Sequence, residues 1–438
     1  MSTTRRLGCL LAAYVSAAFL AVLAAPSSAE ESDLSEAAAP SVEELVAEAL
    51  RRAPSLAALE ARLDAATQVV APAGALPNPT VEVMVQDAGF PSWTVGEEEM
   101  SMIGPQISQG IPFPGKQGAR RSVAEAEVHV REGDLERLRR QVVEEVRDTY
   151  AVLYALDHEH RILGGGKDLA DLLSATVAHH QMTAESDQEA AFKARLVLSR
   201  IEERLEDLHA ERSMAVARLN RLLDRSGNAA LGRVDSLASP VAPALPWDSL
   251  AVAVSAEVTT ARASVEAARR RVRVAELDLR PDLMLGAGVG FRGDRDPVVS
   301  FRLGVELPIW QFGKERPLIR AAKAEYAASL ADLREAEAGA RSEADALRAD
   351  WERVLRQVVR YQQSFVPQSS LAFDAARAAY LGDRGDFSTV IEDLNIWLEA
   401  RTGLARWESE RFRAWARLET LLTPAFPASD EASQGETR

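Results

Sequence analysis

The chain has 438 residues, 27% of them charged, and a net charge of −15. That length allows two or three domains, and the acidity argues against nucleic acid as a partner. The single cysteine, Cys9, lies in a leading apolar segment, so the rest of the chain has no disulfide or thiol chemistry. Residues 1–29 read as a secretory signal. Arg5 and Arg6 form its basic start, Leu7 to Ala25 its apolar core, and Ser27-Ser28-Ala29 the small residues that a signal peptidase reads. A polar linker, 30–40, follows. No later stretch reaches the 18 or so apolar residues of a spanning helix, so any passage through a membrane must use β-strands.

The first half, 41–225, begins with a helical segment. At 80–87, Val81, Val83 and Val85 alternate with Glu82, Met84 and Gln86. At 101–111, Ile103 and Ile107 alternate with Gly104, Gln106 and Ser108, although Pro105 is an awkward residue for a strand. The loop between them, Ala88 to Met100, carries Phe90, Trp93 and three consecutive glutamates. A long helical hairpin is expected over 115–223. In it Leu135, Leu138, Val142, Val146, Tyr150 and Leu153 recur at spacings of three and four, a coiled-coil seam. Its first arm holds about 65 residues, roughly 100 Å of helix. Gly164-Gly165-Gly166 is expected to bend it.

A connecting segment, 226–247, leads to a second half, 248–423, that repeats the plan. After another helix, Leu283, Leu285, Ala287, Val289 and Phe291 face one way over 282–292; Met284, Gly286, Gly288, Gly290 and Arg292 face the other. Over 299–309, Val299, Phe301, Leu303, Val305 and Leu307 alternate with Ser300, Arg302, Gly304 and Glu306. Gly293 to Pro297 reads as a five-residue hairpin loop. A second long hairpin, 314–422, has a bend expected at Pro367, and a flexible tail, 424–438, ends the chain. The repeat is plainest where strand passes into helix. Ile111-Pro112-Phe113-Pro114-Gly115-Lys116 corresponds to Leu307-Pro308-Ile309-Trp310-Gln311-Phe312-Gly313-Lys314. Pro112, Gly115, Pro308 and Gly313 therefore mark strand–helix junctions, since proline lacks a ladder donor but is tolerated near a helix start.

Two motifs mislead. Gly110 to Lys116 has the spacing of a phosphate loop, but Gln117 replaces the Ser or Thr that would hold magnesium, and two prolines remove N–H donors. All six histidines, His129, His158, His160, His179, His180 and His209, fall in the first half. His179, His180 and Met182 could meet a soft metal, but neighbouring residues on a helix point about 100° apart, so solvated or packing histidines are the better reading. No nucleophile elbow or zincin motif is present. The chain is expected to be no enzyme and to need no catalytic residue, cofactor or resident metal.

Four strands cannot close a barrel, because open edges leave unpaired backbone groups in lipid. Known membrane barrels begin at eight strands, so at least two copies must share one. Glycine-rich faces carrying Glu82, Gln86, Arg292, Arg302 and Glu306 would line a water-filled lumen, and the apolar faces would meet outer-membrane lipid.

With this layout the sequence resembles the TolC-type outer-membrane efflux factors, and within them the heavy-metal-efflux-like branch, over Ser41 to about Leu422. The resemblance is carried by Leu76-Pro77-Asn78-Pro79, by Ile111 to Lys116, by Leu307-Pro308 with Gly313-Lys314, and by Ala379-Tyr380 with Arg384-Gly385-Asp386-Phe387. It implies a mainly α fold with a small β part. Four membrane strands per chain would join a shared 12-stranded barrel in a homotrimer, continued by a periplasmic barrel of coiled helices. The implied partners are a periplasmic adaptor protein and an inner-membrane pump, in a Gram-negative-type envelope. Tyr380, Arg384 and Gly385 then stand at an adaptor-contact tip, and Glu392, with Asp386 nearby, at the periplasmic aperture. The first hairpin tip departs from the family pattern: Gln181 stands where tyrosine is usual, Ala184 for glycine and Ala190 for aspartate. The implied function is the exit duct of a tripartite efflux system for metal ions or small toxic compounds. The duct of a type I protein secretion system shares the fold and stays open. So does a soluble periplasmic coiled-coil scaffold, although the two clean strands of the second half oppose it.

Overall fold

Ser41 starts the first helix through a reciprocal cap: its hydroxyl accepts the Glu44 N–H at 3.3 Å, and Glu44 Oε2 accepts the Ser41 N–H at 3.0 Å. From this point each half builds the same series. In the first, helices α1 (Val42–Arg52) and α2 (Pro54–Ala73) lead to strands β1 (Thr80–Gln86) and β2 (Met102–Ile111), then to helices α3 (Lys116–His180) and α4 (Ser186–Leu222). In the second, α5 (Trp247–Val254) and α6 (Ala256–Leu277) lead to β3 (Asp282–Arg292) and β4 (Arg295–Glu306), then to α7 (Glu315–Arg360), α8 (Val366–Leu381) and α9 (Phe387–Leu422). The computed structural model describes residues 38–89, 95, 98–180, 186–238, 240–241, 246–382 and 384–423. The signal at 1–29, Phe90, Trp93, Gln181, Met182, Ala184 and the tail at 424–438 lie outside the described residues. Among the described residues, no helix is long and apolar enough to cross a membrane.

The end of the expected linker is held in place: the Ala39 N–H donates to the Arg233 carbonyl at 2.9 Å, beside a parallel bridge from Ala38. Neither expected bend takes the form foreseen. α3 runs unbroken through Gly164–Gly166. Gly166 is there for packing, since a Cβ on it would come within 2.6 Å of Leu398 Cδ2. In the second half the ladder changes five residues before α8 begins, in a π turn at Tyr361–Phe365, and Pro367 sits in the first turn of α8. There its missing N–H costs less, because a ring placed deeper in an α-helix would forfeit a bond and clash with the preceding turn.

Two compact units are described separately. One gathers the described parts of Met1–Leu45, Asp148–Ser239 and Gln357–Phe412. Its core interleaves Leu156 and Leu163 of α3, Val197 and Ile201 of α4, and Phe387, Val390, Leu394 and Leu398 of α9. Phe373 of α8 stacks on Trp397 at 5.7 Å. The other unit comprises Val46–Arg147, Pro240–Arg356 and the described part of Arg413–Arg438. Trp247 and Val258 pack there with Ala344, Trp351 and Leu418.

The second unit also holds the sheet, with strand order β1-β2-β3-β4 and every neighbour antiparallel. The two halves of the chain thus meet at β2 and β3, and β1 and β4 are the edges. Pro105 does not end β2. Pairing with β3 passes from Ile103↔Phe291 to Gln106↔Gly288 in one register, and Pro105 is opposite Val83 of edge strand β1. Gly104 is required at this place, because a Cβ would lie 1.8 Å from the Val289 carbonyl oxygen.

The β3–β4 loop is shorter than the sequence suggests. Arg292 pairs directly with Arg295, leaving Gly293 and Asp294 as a two-residue turn with Gly293 at φ 62°, where such a turn needs glycine. Asp296 and Pro297 belong to β4, which begins at Arg295 instead of 299 and ends at Glu306 instead of 309. Proline is admissible there because β4 is an edge. The Arg292 guanidinium grips the Asp296 carbonyl at 2.9 and 3.1 Å.

Candidate functional site: a two-faced sheet and a helical turn

Because side chains alternate along each strand, the register puts whole rows on one face. Val81, Ile107, Ala287 and Phe301 form one such row across all four strands, with Leu285 and Leu303 paired beside it. This face stands open: Val81 is 70% exposed, Leu303 71% and Phe301 84%. A large apolar face left uncovered by its own chain marks a surface built for lipid or another apolar partner.

The opposite face is mostly small or polar, with Met84, Met102 and Met284 as its apolar members. Glu82, Gln106, Gly288 and Ser300 make one row, and Thr80, Ser108, Gly286 and Arg302 make another. Arg302 donates to Gln106 Oε1 at 3.3 Å, and the Ser300 hydroxyl to the Gly288 carbonyl at 3.4 Å. Gln86 lies at the far end of β1 against Asp87, at 3.3 Å. Arg292 lies at the β3–β4 turn, and Glu306 opposite Asp282 at the other end of β4. The five polar candidates therefore share a face, but the structure joins none of them directly to another. Gln106, buried and central, accepts from Arg302 and lies opposite Glu82 in the register; the alternation puts it on this face without marking it as their neighbour.

Pro112 follows β2 directly, and Pro308 falls between β4 and α7; Gly115 takes φ 97°, and Gly313 donates to the Trp310 carbonyl at 2.9 Å. At the other candidate region, the turn from α8 to α9, Tyr380 packs on Phe387 with ring centroids 5.3 Å apart. Gly385 has to be small, since a Cβ would touch Ala379 and the Tyr380 nitrogen at 3.0 Å. The Arg384 N–H donates to the Ala379 carbonyl at 3.0 Å, and its side chain lies over Gly382. Asp386 Oδ1 accepts the Ser388 N–H at 3.4 Å and so caps α9. Glu392, one and a half turns further on, is exposed.

Deeper in the same unit lies a buried polar network that helix periodicity does not reveal. Glu159, 5% exposed, accepts from Arg204 at 2.8 Å and from Arg406 at 2.7 and 3.1 Å. Asp157 accepts from Arg212 at 2.7 Å and from the Val234 N–H at 2.9 Å, and Tyr154 donates to Glu408 at 2.8 Å. Burial pushes the Glu159 carboxyl up, but the hydrogen bonds from Arg204 and Arg406 outweigh it and leave it below its usual value. Burial, aided by Arg161, lowers the His158 imidazole; burial, aided by Arg233, lowers His160. All three groups release protons more easily folded than unfolded. Each therefore adds stability that is complete above its unfolded pKa and lost as pH falls through the folded one. The melting temperature of the helical signal is expected to drop on acidification, first below about 6.5 and again below about 4.5. A melting temperature that rises between about pH 7 and pH 5.5 would contradict this.

A sheet with an open apolar face, a polar face and two free edges, combined with two long helical hairpins, defines a class: subunits of a membrane channel wall. The comparisons agree. The family model for outer membrane efflux proteins matches residues 45–223 and 247–422. The fold is similar to that of CusC, described in terms of folding and transmembrane channel formation, with TM-score 0.75 and 18% identity over 88% of this chain and 92% of that one. It is also similar to the outer membrane protein VceC from Vibrio cholerae (TM-score 0.72, 19% identity, 88% and 97% covered). The open-state MtrE outer membrane channel of Neisseria gonorrhoeae is a third (0.72, 13%, 90% and 92%). No curated protein sequence is significantly similar. The chain belongs to the outer membrane efflux protein family, with the duplicated TolC-like fold and an outer-membrane location. Family members are trimeric channels that work with adaptor and pump proteins.

Proposed function

We propose that this chain is the outer-membrane exit duct of a tripartite efflux system, carrying metal ions or small toxic compounds outward without chemical change. Three copies would join their four-stranded sheets into one 12-stranded barrel, served by a periplasmic adaptor and an inner-membrane pump. The observation that carries this reading is the sheet itself: an apolar face with Val81, Phe301 and Leu303 uncovered, a polar face, and edges at β1 and β4 that one chain leaves unpaired. In lipid each unpaired backbone group costs several kcal/mol, so only closure with other copies satisfies them.

In this reading Glu82, Gln86, Arg292, Arg302 and Glu306 face the lumen. Tyr380, Arg384 and Gly385 belong to the tip that meets the adaptor. Three copies of Glu392 and Asp386 gather at the periplasmic mouth, where their field draws cations. Planar-bilayer conductance of the purified channel is expected to prefer cations and to be blocked by multivalent cations from the periplasmic side. Glu392→Gln with Asp386→Asn should raise the half-blocking concentration about tenfold or more, and asparagine keeps the cap on α9. Equal block in parent and double variant would place the gate elsewhere.

A further inference from the structure

The junction after β2 is closed by the segment that leads into β3. Lys116, its side chain 5% exposed, donates to Asp282 Oδ1 and to the Arg280 carbonyl, both at 2.8 Å. Asp282 also accepts the Phe113 N–H at 2.7 Å, and the Arg280 guanidinium lies 5.9 Å from the centre of the Phe113 ring. Arg280-Pro281-Asp282 thus clasps the point where strand becomes helix.

The junction after β4 has the same sequence plan and no such clasp. Lys314 is 73% exposed, and among the described residues its ion pair is with adjacent Glu315, at 3.8 Å. Ile309, Trp310 and Phe312 are all exposed, Trp310 by 76%. The chain does contain a segment equivalent to the clasp. Asn78-Pro79-Thr80 leads into β1 as Arg280-Pro281-Asp282 leads into β3, and Thr80 opens its strand as Asp282 does. That segment is exposed, with Leu76 beside it. It lies at the β1 edge, three strand spacings or about 14 Å from β4, so the chain does not clasp its own second junction.

We propose that Ile309–Lys314 is a docking surface for the Asn78–Thr80 segment of a second copy, with the Lys314 ammonium meeting the Asn78 carbonyl and the Thr80 hydroxyl. This rests on the trimeric duct reading and adds to it the contact that joins the copies. The joint differs from the one within the chain in one respect. Thr80 supplies no carboxylate where Asp282 supplies one, so Lys314 donates its hydrogen bonds across the joint to neutral oxygens only.

That difference provides a gain-of-stability test. Thr80→Asp is expected to raise, by several degrees, the temperature at which the trimer dissociates in SDS, and adding Lys314→Met should erase the gain. A second measurement does not depend on stability. In a Cys9→Ser background, Asn78→Cys with Lys314→Cys treated with a short bis-maleimide should give dimer- and trimer-sized bands, and neither single-cysteine variant should. A trimer whose stability Thr80→Asp does not raise, or raises equally without Lys314, overturns the docking contact and leaves the duct reading intact. So does a cross-link confined to single chains. If no variant and no parent forms a trimer, the duct reading fails with it.

Discussion

Replacing both Arg204 and Arg406 with methionine is expected to cost about 3 kcal/mol of stability, the lower end of what stripping the partners from a buried ion costs. The reason is the position of the charge. Glu159 keeps 5% of its side-chain surface, so without its arginines the carboxylate must stay ionised with little water or take up a proton. The lower end applies because Arg406 is 57% exposed, and water can follow where it was. Glu159→Gln should cost less, since both guanidinium groups can turn to solvent and Arg204 keeps Glu211 at 2.8 Å. Adding Glu159→Gln to the double variant should recover part of the loss. Melting temperatures of the four proteins test the ordering. A double arginine variant more stable than Glu159→Gln would show that the carboxylate is held by something else.

Leu303→Arg is expected to abolish stable insertion in the outer membrane. A charge on the lipid face of a membrane strand costs about 2–4 kcal/mol near the midplane, and a trimer would bear that cost three times. Gly304→Arg is the matched control, one residue along and on the opposite face. A Cβ there meets Met284 Cβ at an ordinary 3.5 Å, so the backbone tolerates a side chain. The Gly304 variant should insert and assemble, with altered conductance. Fractionation and detergent-resistant trimer on unheated gels distinguish the two. If Leu303→Arg assembles normally while Gly304→Arg does not, the two faces are reversed.

What the sequence revealed depended on whether one residue's character was enough to carry the signal. The strands were legible because period-2 alternation shows without knowledge of any partner, and β3 appears where it reads. β4 was harder to delimit. Asp294, Asp296 and Pro297 resemble a loop, and only the pairing of Arg292 with Arg295 shows that two of them continue an edge strand. Gly164–Gly166 looked like a break because glycine usually weakens a helix; its purpose at Gly166 is visible only with Leu398 in place. Glu159 and Asp157 were not legible at all. A charge on a long helix looks like a solvated face until the arginines of distant segments are brought against it. Among the aperture candidates, Asp386 has a visible local duty as a helix cap, which its place at a turn does suggest.

The two unpaired edges at β1 and β4 have a consequence for how such a protein is made. A copy crossing the periplasm alone carries unsatisfied strand edges beside a bare apolar face, the combination that seeds sheet-to-sheet aggregation. If three copies share one barrel as proposed, the folded form has no finished state as a monomer, so yield depends on how often copies meet as well as on sequence. Holdase chaperones that slow collapse would then raise the amount of channel, and overproduction beyond their capacity would turn the same edges toward insoluble material.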